Sequence, residues 1–227
     1  MSDSGKLRRE RDAEVARKAI LDAAEEIFAR DGFDGARIDA IAEASGYNKS
    51  LIFHYFEDKL GLYRAIVLRM KEMVYAGLAP MLAPFLTGDA TPLSAGQVRI
   101  VLETAIRWYF NYLVEHPRIL RILAWEAAES WRTFNSIFPA PEEVERSLKH
   151  LETYTSFIRR AQAAGLIAPE FDPSFLLITV TDMCSMYLLS IPRYSLEYGE
   201  ATQVSPEKLA HTREQMIKLV LDGILAR

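Results

Sequence analysis

Residues 38 to 56 carry the spacing with the most chemical content. Ile38, Ile41, Ala42 and Ser45 recur at the helical period over two turns, Gly46 ends that run, and a second short helical segment follows from Asn48 to Tyr55. Two short helices across a glycine turn make a helix-turn-helix, whose second helix enters the DNA major groove while the first braces it across the backbone. On this geometry Ile41, Ala42, Ile52 and Phe56 face inward, leaving Asn48, Lys49, Ser50, Leu51, Phe53 and His54 to project toward a partner. Lys49 can pair with guanine O6 and N7 or with a phosphate, whereas Leu51 and Phe53 offer apolar contact, for example to a thymine methyl. Backbone amides at the start of this helix and after Asp58 suit phosphate oxygens. A helix pair with a tight turn also occurs in proteins that bind no DNA, and His54 is either a DNA contact or an idle surface residue.

Other chemistry finds little footing. There is no Gly-x-Ser-x-Gly elbow, no phosphate-binding glycine loop and no His-Glu-x-x-His motif. His116, His150 and His211 share no metal-ligand spacing with each other or with acidic neighbours. Glu126 and Glu129 lie one turn apart as possible paired carboxylates, a spacing that an ordinary helix surface explains as well. Cys184, the single cysteine, rules out an intrachain disulfide; it is either an inert core thiol or a redox sensor.

The elements that position these residues are helical almost throughout. Val15, Ile20, Ala23, Ala24, Ile27 and Phe28 form a stripe ended by Asp31-Gly32, and Asp58 caps a long helix running past Met70 toward Leu78. Pro80, Pro84 and the turn-rich stretch 87–92 punctuate the chain before a helix from Val98 to about Glu115. Pro117 suits the first turn of a helix to about Ser130, and Phe138-Pro139-Ala140-Pro141 marks a loop. A helix from Val144 ends at Gly165, an apolar helix opens at Asp172 or Ser174 and is kinked or ended by Pro192, and Ser205-Pro206 opens the last one. This amounts to about nine helices in an all-α protein, with no convincing strand, repeat or linker. Three short helices, residues 1–60, join directly to a larger bundle, residues 61–227. The apolar segment Phe175–Ile191 is interrupted by Asp182 and four hydroxyl residues and is shorter than the ~20 residues a membrane span needs, so it reads as a buried helix.

Around the helix-turn-helix the sequence resembles the TetR family of transcriptional regulators. Ala23-Ala24, Phe28, Gly32-Phe33, Ile41-Ala42, Gly46, Lys49, Ile52-Phe53, Tyr55-Phe56 and Lys59 match its pattern in register over about residues 13–65. The C-terminal two-thirds resembles the family in being helical and of the right length. The resemblance implies that the positions of Lys49, Ser50, Leu51 and Phe53 meet base edges or nearby phosphates, and that those of Tyr55 and Lys59 meet phosphates. Ala36 stands where threonine is usual, so the second helix lacks that side-chain cap. Phe53 replaces a tyrosine and Leu51 a small or hydroxylated residue, which makes the binding surface more apolar.

The resemblance also implies a ligand cavity among the C-terminal helices. Trp108, Tyr112, Trp125, Glu126, Tyr154, Asp182, Met183 and Met186 are its candidate lining, although aromatics at helical spacing also serve simply as core. Glu126 and Asp182 are each either satisfied structural polars or ligand contacts. The last two helices have apolar faces larger than one bundle needs, with Gly223 permitting close crossing. In the family such helices form a four-helix bundle across a two-fold axis, placing two recognition helices on a palindromic operator.

Composition sets the outer bounds. With 227 residues, 50% hydrophobic and 26% charged, the chain is an ordinary globular protein of one or two domains. Its N-terminus is polar and charged, unlike a secretory signal, which points to the cytoplasm. The net charge of −4 argues mildly against nucleic acid, and residues 1–60 hold ten Lys/Arg against 13 Asp/Glu. DNA attraction depends on which charges face phosphate, so Arg8, Arg9, Arg11, Arg37, Lys49 and Lys59 are expected on one side; scattering among carboxylates would weaken the DNA-binding reading. The sequence thus predicts a non-enzymatic, ligand-responsive regulator, most simply a repressor. It would bind a palindromic double-stranded DNA operator as a homodimer, without cofactor, metal or membrane, and be released by a largely apolar or aromatic small molecule. DNA contacts fall to Arg37, Asn48, Lys49, Ser50, Leu51, Phe53, His54, Tyr55 and Lys59. The alternatives are a helical protein-interaction module or an enzyme using the C-terminal cavity.

Overall fold

The computed structural model describes residues 3–86, 93–137, 141–197 and 205–225. Ten α-helices run in order among them, and the only β-type pairing in the described residues is one isolated bridge between Ile167 and Leu225. The tenth helix, absent from the sequence reading, is the five-residue α7 (Arg132–Ser136). The expected turn at 87–92 and most of the expected loop at 138–141 lie outside the described residues. The chain forms two compact units: Met1–Met73 with Arg121–Pro139, and Val74–Leu120 with Ala140–Arg227. The expected boundary at residue 60 therefore falls inside a helix, and the first unit takes in a segment far along the chain.

In the first unit, α1 (Asp3–Gly35) buries Ala16, Ile20, Ala24, Ile27 and Phe28, while Val15 is exposed. The stripe begins at Ala16 because the i, i+4 rule from Ile20, Ala24 and Phe28 extends back to it. The helix breaks at Gly32, whose φ of 71° lies in the left-handed region. Next come α2 (Ile38–Ser45), α3 (Lys49–Phe56) and the start of α4 (Lys59–Leu86). Phe28, Phe33 and Tyr63 form an aromatic cluster with ring centroids 4.9 to 6.1 Å apart. Arg69 of α4 ties α1 down, donating to Asp22 at 2.6 Å and also to Glu25. Burial raises the Asp22 carboxyl, but hydrogen bonds from Lys18 and Arg69 outweigh it and hold the group below its ordinary value.

The second unit holds the rest of α4, α5 (Ala95–Glu115), the first residues of α6 (Pro117–Ala128), α8 (Pro141–Ala163), α9 (Pro173–Glu197) and α10 (Pro206–Ile224). A reciprocal Ser94–Gln97 capping box starts α5, and Ser205 followed by Pro206 starts α10. Leu82, Val98, Val101, Phe157, Ala161 and Ile167 belong to one buried core. Arg213 donates to Asn111 at 2.6 Å and Arg107 to Glu214 at 2.8 Å, joining α10 to α5.

Two helices differ from expectation. The helix α4 continues through Pro80 and Pro84 to Leu86. These prolines are four residues apart and exposed, so the carbonyls they leave unbonded lie on a face open to water. The 25-residue α9 likewise continues past Pro192, and it is not a buried helix: its most apolar stretch, Pro173–Arg193, is long enough to span a membrane yet only 17% buried. Phe175, Ile178 and Met186 are more than half exposed along it.

Candidate nucleic-acid interface and sensing unit

The α2–α3 pair is built by local signals. Gly46 takes a left-handed φ of 75° as the C-cap of α2, and its N–H returns to the Glu43 carbonyl at 3.3 Å. Asn48 then caps α3, its side-chain oxygen accepting from the Leu51 N–H at 2.9 Å. Ile41 and Ile52 are fully buried and Phe56 nearly so, which locks the pair. Asn48, Lys49, Ser50, Phe53 and His54 are exposed, and Leu51 and Tyr55 are half-buried. The structure thus brings the expected recognition residues together on one short helix, with Asn48 already engaged as its cap. At α2 the N-cap position is Arg37, not Ala36, and it makes no side-chain cap; Ala36 is buried. The missing cap stands, one residue later than its expected place.

The start of α4 supports the same face. Asp58 accepts from the Gly61 N–H at 2.7 Å, capping the helix as its spacing predicts. Gly61, which sequence reasoning passed over, is sterically required: a Cβ there would stand 2.0 Å from the Phe56 carbonyl oxygen. Lys59 is half-buried, its Nζ donating to the Asp34 carbonyl at 3.2 Å and lying 4.8 Å from the Phe33 ring centre. Burial pulls its ammonium below the ordinary value, and the Asp34 charge offsets part of that.

Of the six cations expected on one side, three have carboxylates beside them. Arg8 lies 3.9 Å from Asp12, Lys49 is 2.5 Å from Asp39, and Lys59 has Asp34 beside it. Arg11 and Arg37 are exposed, and the Arg9 side chain lies outside the described residues.

Trp125 and Glu126, candidate ligand contacts by sequence, sit in the first unit instead. The Trp125 indole N–H donates to the Ala29 carbonyl at 3.2 Å, and its ring lies 3.0 Å from where a Cβ on Gly32 would be. Glu126 is buried, accepting from the Tyr63 hydroxyl at 2.6 Å and from the Phe134 N–H at 3.0 Å. Both carboxyl oxygens are therefore used structurally, and burial followed by this hydrogen bond pushes the Tyr63 phenol far up. Arg132 adds a 2.7 Å bond to Asp34. Tyr63 and Phe134 carried no sequence signal for this role, being 63 and 8 residues from Glu126.

The remaining sensing candidates lie in the second unit, but not together. Trp108 stacks on Tyr112 with centroids 5.0 Å apart, and Tyr112 touches His116 at 4.7 Å. Trp108 lies against Gly77, where a Cβ would be 2.1 Å from the ring. Tyr75 stacks on His150 at 3.8 Å, and Tyr154 is half-buried with its phenol pushed up chiefly by burial. Both His116 and His150, ordinary by sequence, lie against an aromatic ring, His150 stacked on Tyr75 and His116 tilted against Tyr112. Asp182 and Met186 are exposed and share the outward stripe of Phe175 and Ile178, so they leave the cavity lining; Met183 is half-buried. Cys184 is buried, which pushes its thiol up to about 11. Among the described residues no group of His, Cys, Asp and Glu could hold a metal.

Comparison with known proteins agrees with this architecture at both ends. The family model for bacterial regulatory proteins of the tetR family matches residues 20–66, and that for the tetracyclin repressor-like C-terminal domain matches residues 100–220. The chain belongs to the TetR family of transcriptional regulators. The match beyond residue 100 extends the likeness from the helix-turn-helix to the second unit, where sequence reasoning had only helix content. This TetR-family regulator is 31% identical over 175 residues to the HTH-type transcriptional repressor SCO4008 of Streptomyces coelicolor, covering 76% of this chain and 79% of that one. It is 34% identical to the regulator UidR of Escherichia coli K12, covering 94% and 95%. A TetR family transcription regulator from Marinobacter aquaeolei has the same fold, with a TM-score of 0.68 over 96% of this chain and all of that one at 21% identity. The TetR-family regulator therefore acts on DNA to control transcription, with α2–α3 as its reading element.

Proposed function

We propose that this protein is a cytoplasmic, ligand-responsive repressor that binds a palindromic operator as a homodimer and leaves it when a small molecule binds the second unit. The feature that most supports it is α3, with an exposed Lys49, Ser50, Phe53 and His54 ridge above buried Ile52 and Phe56. A second copy of the chain is the proposed cover for the stripe of Phe175, Ile178 and Met186 on α9 and for Leu219 on α10. Contiguous exposed apolar patches mark interaction surfaces, and Gly223 on α10 has open space around it, as close helix crossing needs. The stacked pairs Trp108–Tyr112 and Tyr75–His150 favour a flat, largely apolar or aromatic effector. The effector would oppose DNA by favouring a conformation with the wrong spacing between recognition helices.

Operator DNA recovered by selection from a random duplex library tests this directly. Lys49→Ala and Tyr55→Ala should weaken its binding while sedimentation still reports dimers; unaltered binding in both variants removes the residue assignments. Ile178→Glu with Met186→Glu should give monomers that have lost operator binding, and dimers that persist would remove α9 as the interface.

A further inference from the structure

The whole helix-turn-helix, Ile38 to Phe56, contains one Lys or Arg, Lys49, and two acids, Asp39 and Glu43. Lys49 is the first residue of α3 and Asp39 the second of α2, and their side chains meet across the turn at 2.5 Å. Both remain about half exposed, at 50% and 60%, so each is within reach of DNA as well as of the other. Exposed ion pairs add little to fold stability. Asp39 also complements the N-terminal dipole of α2, which no side chain caps, and that gives it a place in the fold whether or not Lys49 is there.

We infer that Asp39 is a specificity-determining residue that restrains Lys49. A lysine held by a carboxylate releases no counterion when it nears a phosphate unless it first leaves its partner, and the partner then faces the same phosphate with like charge. Nonspecific duplex supplies only phosphates, so it gains least from that exchange. An operator supplies a base edge, guanine O6 and N7, for which a lysine has directional acceptors, together with the full set of α3 contacts that hold it there. Asp39 therefore lowers affinity for DNA in general more than affinity for the operator. The inference rests on α3 reading DNA.

The measurement is fluorescence anisotropy on the full-length protein, with a short mixed-sequence duplex and with the selected operator, across a salt series. Asp39→Asn should tighten mixed-sequence binding about 5- to 10-fold near 0.1 M salt and steepen the log–log salt slope by about 0.9, the signature of one more neutralised phosphate. Operator affinity should rise less, so the specificity ratio falls. In a Lys49→Ala background the same substitution should change nothing beyond about twofold. An equal gain in that background would mean a general charge effect and overturn the restraint. So would unchanged affinity and slope in Asp39→Asn, or a loss confined to the operator, which would make Asp39 an acceptor for a cytosine amine. Thermal melting of each variant checks that the head is folded. A wild-type protein that binds neither duplex would refute α3 as a DNA reader, an outcome distinct from each of these.

Discussion

Replacing Glu126 with leucine removes an acceptor whose two oxygens serve two donors, the buried Tyr63 hydroxyl and the half-buried Phe134 N–H. Tyr63 is 1% exposed and Glu126 itself 3%, so water cannot take over the bond between them. Each stranded donor costs about 1–3 kcal/mol, which gives about 2–6 kcal/mol for the pair. Against a domain stability of about 5–15 kcal/mol this is a large fraction. With a urea dependence of about 2 kcal/mol per molar, the middle of the range for the pair lowers the midpoint by about 2 M. Tryptophan fluorescence in a Trp108→Phe background reads it, because Trp125 and Trp131 both lie in the unit that Glu126 braces. Glu126→Gln, which keeps one acceptor and turns an N–H toward the other donor, should fall between wild type and leucine. Tyr63→Phe should cost about 1–2 kcal/mol, and combining it with Glu126→Leu should add little, since the two share one bond. A Glu126→Leu variant within about 0.5 kcal/mol of wild type would refute the claim that this carboxyl clasps α6 and α7 to the head.

Stability of that unit should also fall in alkali. Tyr63 has a folded-state pKa raised above its ordinary value of about 10, so its contribution is complete below pH 10. Above it the unfolded chain releases the proton while the native chain keeps it, and Tm should drop between about pH 10 and 11, less so in Tyr63→Phe. Cys184, with a thiol pushed up to about 11 by burial, should resist iodoacetamide at neutral pH and react fully once urea opens the second unit; native labelling at the unfolded rate would contradict its burial. Gly61→Ala should destabilise the head by about 1–3 kcal/mol in the same urea assay, because the new Cβ meets a backbone oxygen that no side-chain rotation can clear.

The helix-turn-helix was legible because its determinants are local. A glycine able to take φ 75°, an asparagine positioned to cap, and apolar residues at i, i+3 and i+4 specify two helices and a turn within nineteen residues, whatever surrounds them. The Asp58 cap was readable for the same reason. Chain neighbours alone gave no sign of the Asp39–Lys49 pair, since which of several acids meets a lysine across a turn depends on the angle between the helices.

Longer-range choices were decided only by the tertiary structure. A tryptophan followed by a glutamate on an amphipathic helix reads as a structural pair or as pocket lining, and packing of residues 121–139 with residues 1–73 made Trp125 and Glu126 a brace. Hydropathy reports how apolar α9 is, not how much of it the chain's own helices can cover, so a helix expected to be buried turned out to show Phe175, Ile178 and Met186 to the outside. The sequence alone determined that this is an all-helical protein with a DNA-reading motif near its start, because helix period, caps and glycine turns act over a few residues. The tertiary structure decided which side chains brace that motif, which form the aromatic stacks of the second unit and which remain uncovered, because burial and pairing depend on surfaces that meet only after the chain has folded.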